Sequence, residues 1–235
     1  MPRRLVLFDI DGTLLLSAGA GRRAILAALA DHVADFETLT KVRFDGKTDP
    51  QIVTELLAAA GDPEPEEPGR ITRVLQRYVE LLERDLALNG HRAATMPGVP
   101  ELLDLLEGDD ALIGLLTGNV VPGARLKLAA VRIDPDRFRV GAFGSDHARR
   151  FELPPIAARR AEPFFGRVPS GAEVVIIGDT PDDVCCAASI GARTVGVATG
   201  AYSEAELRDA GASVVLPDFR DVPAARRAIL DGDGR

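Results

Sequence analysis

Apolar residues in this chain fall into short runs separated by longer mixed stretches. LVLFD (5–9), ALIGLLT (111–117), VVIIG (174–178) and TVGVA (194–198) are each bounded by charge or glycine, and SVVLP (213–217) is a fifth run of the same kind. Compact apolar runs without alternation predict strands buried on both faces of a sheet. PELLDLLEG (100–108), GARLKLAAV (123–131) and DDVCCAASIGA (182–192) lie between them and predict helices. Strands alternating with helices define an α/β chain with a parallel sheet and crossover connections.

One interval breaks the rhythm. A βαβ crossover takes about 30 residues, yet the second apolar run begins about 100 residues after the first. The excess reads as helix: GRRAILAALADHVADF, DPQIVTELLAAAG, and RITRVLQRYVELLERDLAL, whose Ile71, Val74, Leu75, Tyr78, Leu82 and Leu86 fall near helical spacing. DPEPEEPG, with Glu64, Glu66 and Glu67, predicts a solvated loop between the last two. A helical unit is therefore inserted after the first strand, and TMPGV (95–99) marks the return to the sheet.

Composition narrows the classes. The 235 residues are 46% apolar, enough for a substantial core, and the net charge of −8 argues against a nucleic-acid binder. Pairs such as Arg149-Arg150 and Arg159-Arg160 are too short to change that balance. No apolar run approaches the ~20 residues that span a bilayer. MPRR leads directly into a strand ending at Asp9, so no export signal and a cytoplasmic location are expected. The adjacent Cys185 and Cys186 cannot staple the fold and read as core or half-buried thiols in a reducing compartment. His32, His91 and His147 follow no ligand spacing and are expected to be structural or exposed.

In an open parallel sheet, ligands bind beyond the C-terminal ends of the strands. Asp9 stands at one such end, with Asp11 and Gly12 turning behind it. Thr117 ends a second strand, and Asp179, followed by Asp182 and Asp183 in GDTPDD, ends a third. Carboxylates gathered at one rim repel one another and call for a cation. A hard divalent ion suits oxygen donors, Mg²⁺ above all where phosphate is handled.

DIDGT, LLTGN and GDTPDD, in that order, resemble the motifs of the haloacid dehalogenase superfamily. The inserted helices resemble the cap of its phosphoglycolate-phosphatase-like members. The resemblance implies a Rossmann-like parallel sheet core (1–15 and 96–235) with an inserted α-helical cap domain (16–95). It implies a Mg²⁺-dependent phosphatase acting on a small phosphorylated metabolite, as monomer or homodimer. Asp9 would be the nucleophile, and Asp11 the acid and then the base. Mg²⁺ would rest on the Asp9 carboxylate, the Asp11 backbone carbonyl and Asp179, with Asp183 reaching it through water. Thr117, with the amides of Gly118 and Asn119, would bind the phosphoryl group. A phosphomutase or a non-catalytic binding protein of the same fold are the alternatives.

The family's usual lysine between the threonine and GDxxxD motifs is missing: residues 128–178 contain none, and Lys127 lies earlier, in an apparent helix. Arg149 or Arg150 in its place is expected, and Arg150, directly before Phe151-Glu152-Leu153, is favoured. In the insertion, FDGKTDPQI predicts a substrate-facing loop with Lys47 and Thr48 as binding residues, Asp49 being a helix cap or a further contact. Arg22 and Arg23 are second candidates, and the only lysines of the insertion are Lys41 and Lys47.

Overall fold

The computed structural model describes residues 4–30, 33, 39, 42–109 and 111–232. Six strands, β1 (Arg4–Phe8), β4 (Ala111–Thr117), β5 (Val140–Phe143), β6 (Val174–Gly178), β7 (Arg193–Val197) and β8 (Val214–Leu216), form one parallel sheet in the order β5-β4-β1-β6-β7-β8. β1 therefore lies between β4 and β6, with Leu7 opposite Gly114 on one side and Ile176 on the other. Five of these strands match the apolar runs. β5 falls on the VGAF preceding GSD, where the GAFGSD stretch reads as a turn; Gly141 and Ala142 give this edge strand little of the β-branched signature.

Both faces of the sheet are covered. Val6 and Phe8 of β1 share a core with Leu102, Leu103 and Leu106 of α4 (Val99–Glu107) and with Ile229 of α9 (Val222–Leu230). Leu5 and Leu7 point the other way, onto Leu153, Ala157 and Ala161 of α6 (Leu153–Phe165). Two-sided burial is why β1 reads as a continuous apolar run. No helix among the described residues is long and apolar enough to cross a membrane.

The excess chain leaves and re-enters through two short strands, β2 (Leu15–Leu16) and β3 (Ala94–Thr95), which pair antiparallel. Beyond them α1 (Ala20–Ala28), α2 (Asp49–Ala59) and α3 (Pro68–Asn89) pack a third core of their own. α3 presents Val74, Tyr78, Leu82 and Leu86 to it, one residue per turn. Each such fully buried leucine contributes about 2 kcal/mol. Glu67, expected in a solvated loop, instead caps α3: its carboxylate accepts the N–H of Gly69 (2.8 Å) and of Arg70 (2.6 Å), with Pro68 at the first helical position. Val120, Leu126 and Ala130, in and before α5 (Val121–Ala130), join this third core, so α5 is the seam between the helical unit and the sheet.

Candidate active site

A cavity of about 820 Å³ opens at the C-terminal ends of β1, β4 and β6. β1 delivers Asp9, whose N–H donates to Ile177 O of β6 (2.9 Å). The chain then turns through Gly12, which has φ of +83° and donates to Leu15 O (2.9 Å). Behind β6, Thr180 opens α7 (Pro181–Cys186) with a capping box: its side chain accepts from Asp183 N–H, and the Asp183 carboxylate accepts from Thr180 N–H (3.0 Å). Thr180 is thus the cap, and Asp182 lies against Gly46 of the insertion.

Asp9, Asp179 and Asp183 each bring a carboxylate oxygen within 4.8 Å of the others, all of them buried. Arg150 enters this cluster. Its Nη2 donates to Asp9 Oδ1 (2.8 Å), to Asp183 Oδ1 and to Leu116 O (3.2 Å), and its Nη1 donates to Gly46 O (3.3 Å). Arg149 points outward and pairs with Glu152 (3.2 Å). Burial pushes the Asp9 carboxyl up to about 6 against the pull of Arg150. Asp179 is held well above the usual carboxylate range, by burial first and then by Asp183 and Asp9. Three carboxylates against one guanidinium leave the cluster short of positive charge.

That shortage, and the chemistry of the donors, fit a hard cation. The oxygens are hard ligands, and the Asp179 carboxylate is cradled where a Cβ on Gly12 or Gly200 would stand 2.4 or 1.8 Å from it. Thr13 Oγ1 donates to Asp179 Oδ1 (3.1 Å) and leaves Oδ2 for such an ion.

Asp11 stands apart from the cluster. Its Oδ2 accepts from Asn119 Nδ2 (2.8 Å) and from Lys127 Nζ (2.6 Å), and Lys127 also donates to Asn119 Oδ1 (2.6 Å). Thr117 is fully buried at the end of β4, and its Oγ1 accepts from the Asn119 amide side chain (2.8 Å) and backbone (3.3 Å), so its own hydrogen is left to donate. The Asn119 N–H, expected to face a phosphoryl group, is directed at Thr117.

The insertion docks on this same loop. Asp49 N–H donates to Gly118 O (2.7 Å), and the Asp49 carboxylate accepts from Val120 N–H (2.8 Å). A Cβ on Gly118 would stand 2.1 Å from Lys47 O, so only glycine permits this approach. Thr48 caps α2 by accepting from Gln51 N–H (3.2 Å) and donates to Ala148 O. It is fully buried among these contacts. Lys47 lines the cavity but is tied to Glu55 on α2, so it offers a substrate less than expected. Burial raises the Asp49 carboxyl to about 6, opposed by Lys127 and the Val120 N–H.

Arg22 lines the cavity, its guanidinium 4.4 Å from the Phe44 ring centre, while Arg23 turns to Asp85 of α3 (2.7 Å). His91 is exposed, His147 accepts from Arg149 N–H (3.0 Å), and His32 and Lys41 lie outside the described residues. Lys127, set behind the arginine pair in the sequence reading, is at the site as well. Burial works against its charge, but Asp11 and Asp49 outweigh burial and hold its pKa above the ordinary lysine value. The signal was there: Lys127 sits on the stripe with Ala124 and Leu128, where α5 is buried.

Comparison with known proteins agrees with this architecture. The HAD-hydrolase-like family model matches residues 153–222. The probable phosphatase IndB of Dickeya dadantii (strain 3937) is 27% identical over 227 residues, 96% of this chain and 94% of that protein. A hydrolase from Pseudomonas syringae superposes with a TM-score of 0.74 at 24% identity, covering 97% of this chain and 99% of the other. CbbY from Rhodobacter sphaeroides, solved with phosphate, gives 0.73 at 22% identity, covering 94% and 96%. With its motifs at three adjacent strand ends, the chain has the fold of these proteins, and its residues 153–222 are similar to the haloacid-dehalogenase-like hydrolases. The family match and the curated relative together support a phosphatase hydrolase.

Proposed function

We propose that this protein is a Mg²⁺-dependent phosphatase that hydrolyses a small phosphomonoester through an aspartyl-phosphate on Asp9. The observation that carries the reading is the meeting of Asp9, Asp179 and Asp183 with Arg150 beside one cavity, while Asp11 is held separately a turn away. That separation matches a division of labour between nucleophile and proton carrier.

In this reading the Asp9 carboxylate attacks phosphorus, aimed by Arg150. The hydrogen of Thr117 Oγ1 is donated to a phosphoryl oxygen. Asp11 gives its proton to the departing oxygen and later takes one from the attacking water. Asp9 and Asp179 would hold the Mg²⁺, which neutralises charge on the phosphoryl group and the carboxylates. Asp183 spends both oxygens within the protein, on Arg150 and on Thr180, and so sets the guanidinium more than the metal. The unit at 16–95 is read as the cap that keeps bulk water and large molecules from the site. The substrate is a small phosphorylated metabolite and the expected setting is the cytoplasm.

Phosphate release from 4-nitrophenyl phosphate and a panel of phosphorylated metabolites tests the reading. Release is expected with Mg²⁺, is lost with chelator, and is lost in Asp9→Asn at an unchanged melting temperature. Release that persists in chelator would remove the metal from the proposal. No release from any member of the panel would remove the phosphatase.

A further inference from the structure

We propose that Lys127 is a positioning residue for Asp11: together with Asn119 it fixes the carboxylate in the one orientation from which it can pass a proton to the leaving oxygen. The inference rests on the phosphatase reading above.

Three features carry it. The first is closure of the network. Lys127 Nζ lies 2.6 Å from both Asp11 Oδ2 and Asn119 Oδ1, and Asn119 Nδ2 lies 2.8 Å from the same Asp11 oxygen and from Thr117 Oγ1. The proton carrier and the phosphoryl-facing hydroxyl are thereby built into one unit. The second is burial. The Lys127 side chain is 6% exposed, whereas that of Asp11 is 40% exposed. The ammonium is thus the fixed partner and the carboxylate the reachable one. A charge this buried is costly unless paired, and Asp11 and Asn119 pair it. The third is what covers it. α1 of the insertion crosses the lysine at Gly21, where a Cβ would stand 3.1 Å from Nζ. The seating of the insertion therefore fixes the lysine, which fixes Asp11.

Lys127 is separate from the cation at the nucleophile. Arg150 touches Asp9 and Asp183, and Lys127 touches Asp11. The two cations serve different steps, and their loss has different signatures. The value of kcat/KM reports events up to departure of the leaving group. A nitrophenolate leaves without a proton, whereas an alkoxide needs one.

The test compares kcat/KM for an alkyl phosphate and for 4-nitrophenyl phosphate in wild type, Lys127→Met, Lys127→Arg, and Lys127→Met combined with Asp11→Asn. In Lys127→Met the alkyl-to-nitrophenyl ratio is expected to fall by about tenfold, less than the roughly hundredfold or more that loss of the acid itself would cost. Lys127→Arg should recover part of that ratio. In the Asp11→Asn background, Lys127→Met should leave the ratio unchanged, because the residue it positions is gone. Equal losses on both substrates, or a ratio that falls again in the double variant, would overturn the proposal and leave Lys127 a structural residue. Should Met at 127 lower the melting temperature sharply, Lys127→Gln, which keeps a polar terminus, is carried through the same comparison. Failure of wild type on both substrates would strike the phosphatase reading instead.

Discussion

Arg149 and Arg150 are neighbours of identical chemistry, yet their side chains are 75% and 7% exposed. A short turn of 3-10 helix over Arg150–Glu152 sends one outward and drops the other between Asp9 and Asp183. Arg150→Ala is expected to lower kcat by about a hundredfold, the loss of one preorganised electrostatic donor, while Arg149→Ala changes it by less than about threefold. Arg150→Lys should recover part, limited by the lost fork. Steady-state kinetics on folded variants decides. Local sequence narrowed the candidates to this doublet but did not orient it, because the turn answers to long-range partners near residues 9 and 183. Lys127 is obscured for the same reason: its partner Asp11 is close in space but 116 residues away in the chain. Asp49 adds a pH signature. Its carboxyl titrates near 3.8 when unfolded and about 6 when folded, so the folded state binds more protons between those values. Its contribution to stability is fully present below 3.8 and is lost as pH rises through 6. Unfolding free energy of wild type minus that of Asp49→Asn should therefore fall by about 3 kcal/mol between about pH 4 and pH 7, measured by denaturant titration.

Among the elements, α3 was legible in advance because its stripe is long and regular, and β1, β4 and β6 because both of their faces are apolar. β5 was not, since a four-residue edge strand built on glycine and alanine carries almost no pattern. α3 also holds an anomaly that no pattern exposes. Tyr78 is fully buried, and its hydroxyl finds no partner among the described residues, lying near Gly21 and Gly123. Such a hydroxyl is a cost of about 1–3 kcal/mol to the folded state. Tyr78→Phe should raise the unfolding free energy by about 1 kcal/mol in chemical denaturation, and a clear loss would reveal a bond the static arrangement lacks.

Over the whole molecule, the ordered motifs told where the chemistry sits, and the spacing told that a helical unit interrupts the sheet. What neither could tell is how tightly that unit is bound in. Asp49 and Gly118, Thr48 and Ala148, and Arg150 and Gly46 tie it to the loop after β4 and to the buried guanidinium at once. The seam also gives α5 two faces: Ala124 and Leu128 serve the sheet, and Leu126 and Ala130 serve the insertion.

The central place of β1 has a consequence for how the protein is made. The strand that leads into Asp9 pairs with β4, about 100 residues later, and with β6, about 170 residues later. On a ribosome adding roughly 5–20 residues per second, RLVLF waits on the order of ten seconds or more without either neighbour. During that time it is a bare apolar strand with two open edges, the kind of segment that other chains capture. The helices of the insertion are made in that interval, but their core is completed only by Val120, Leu126 and Ala130, which follow β4. The carboxylate cluster thus assembles only with the last central strand, when β6 closes against β1 and carries Asp179 to Asp9 in the same movement.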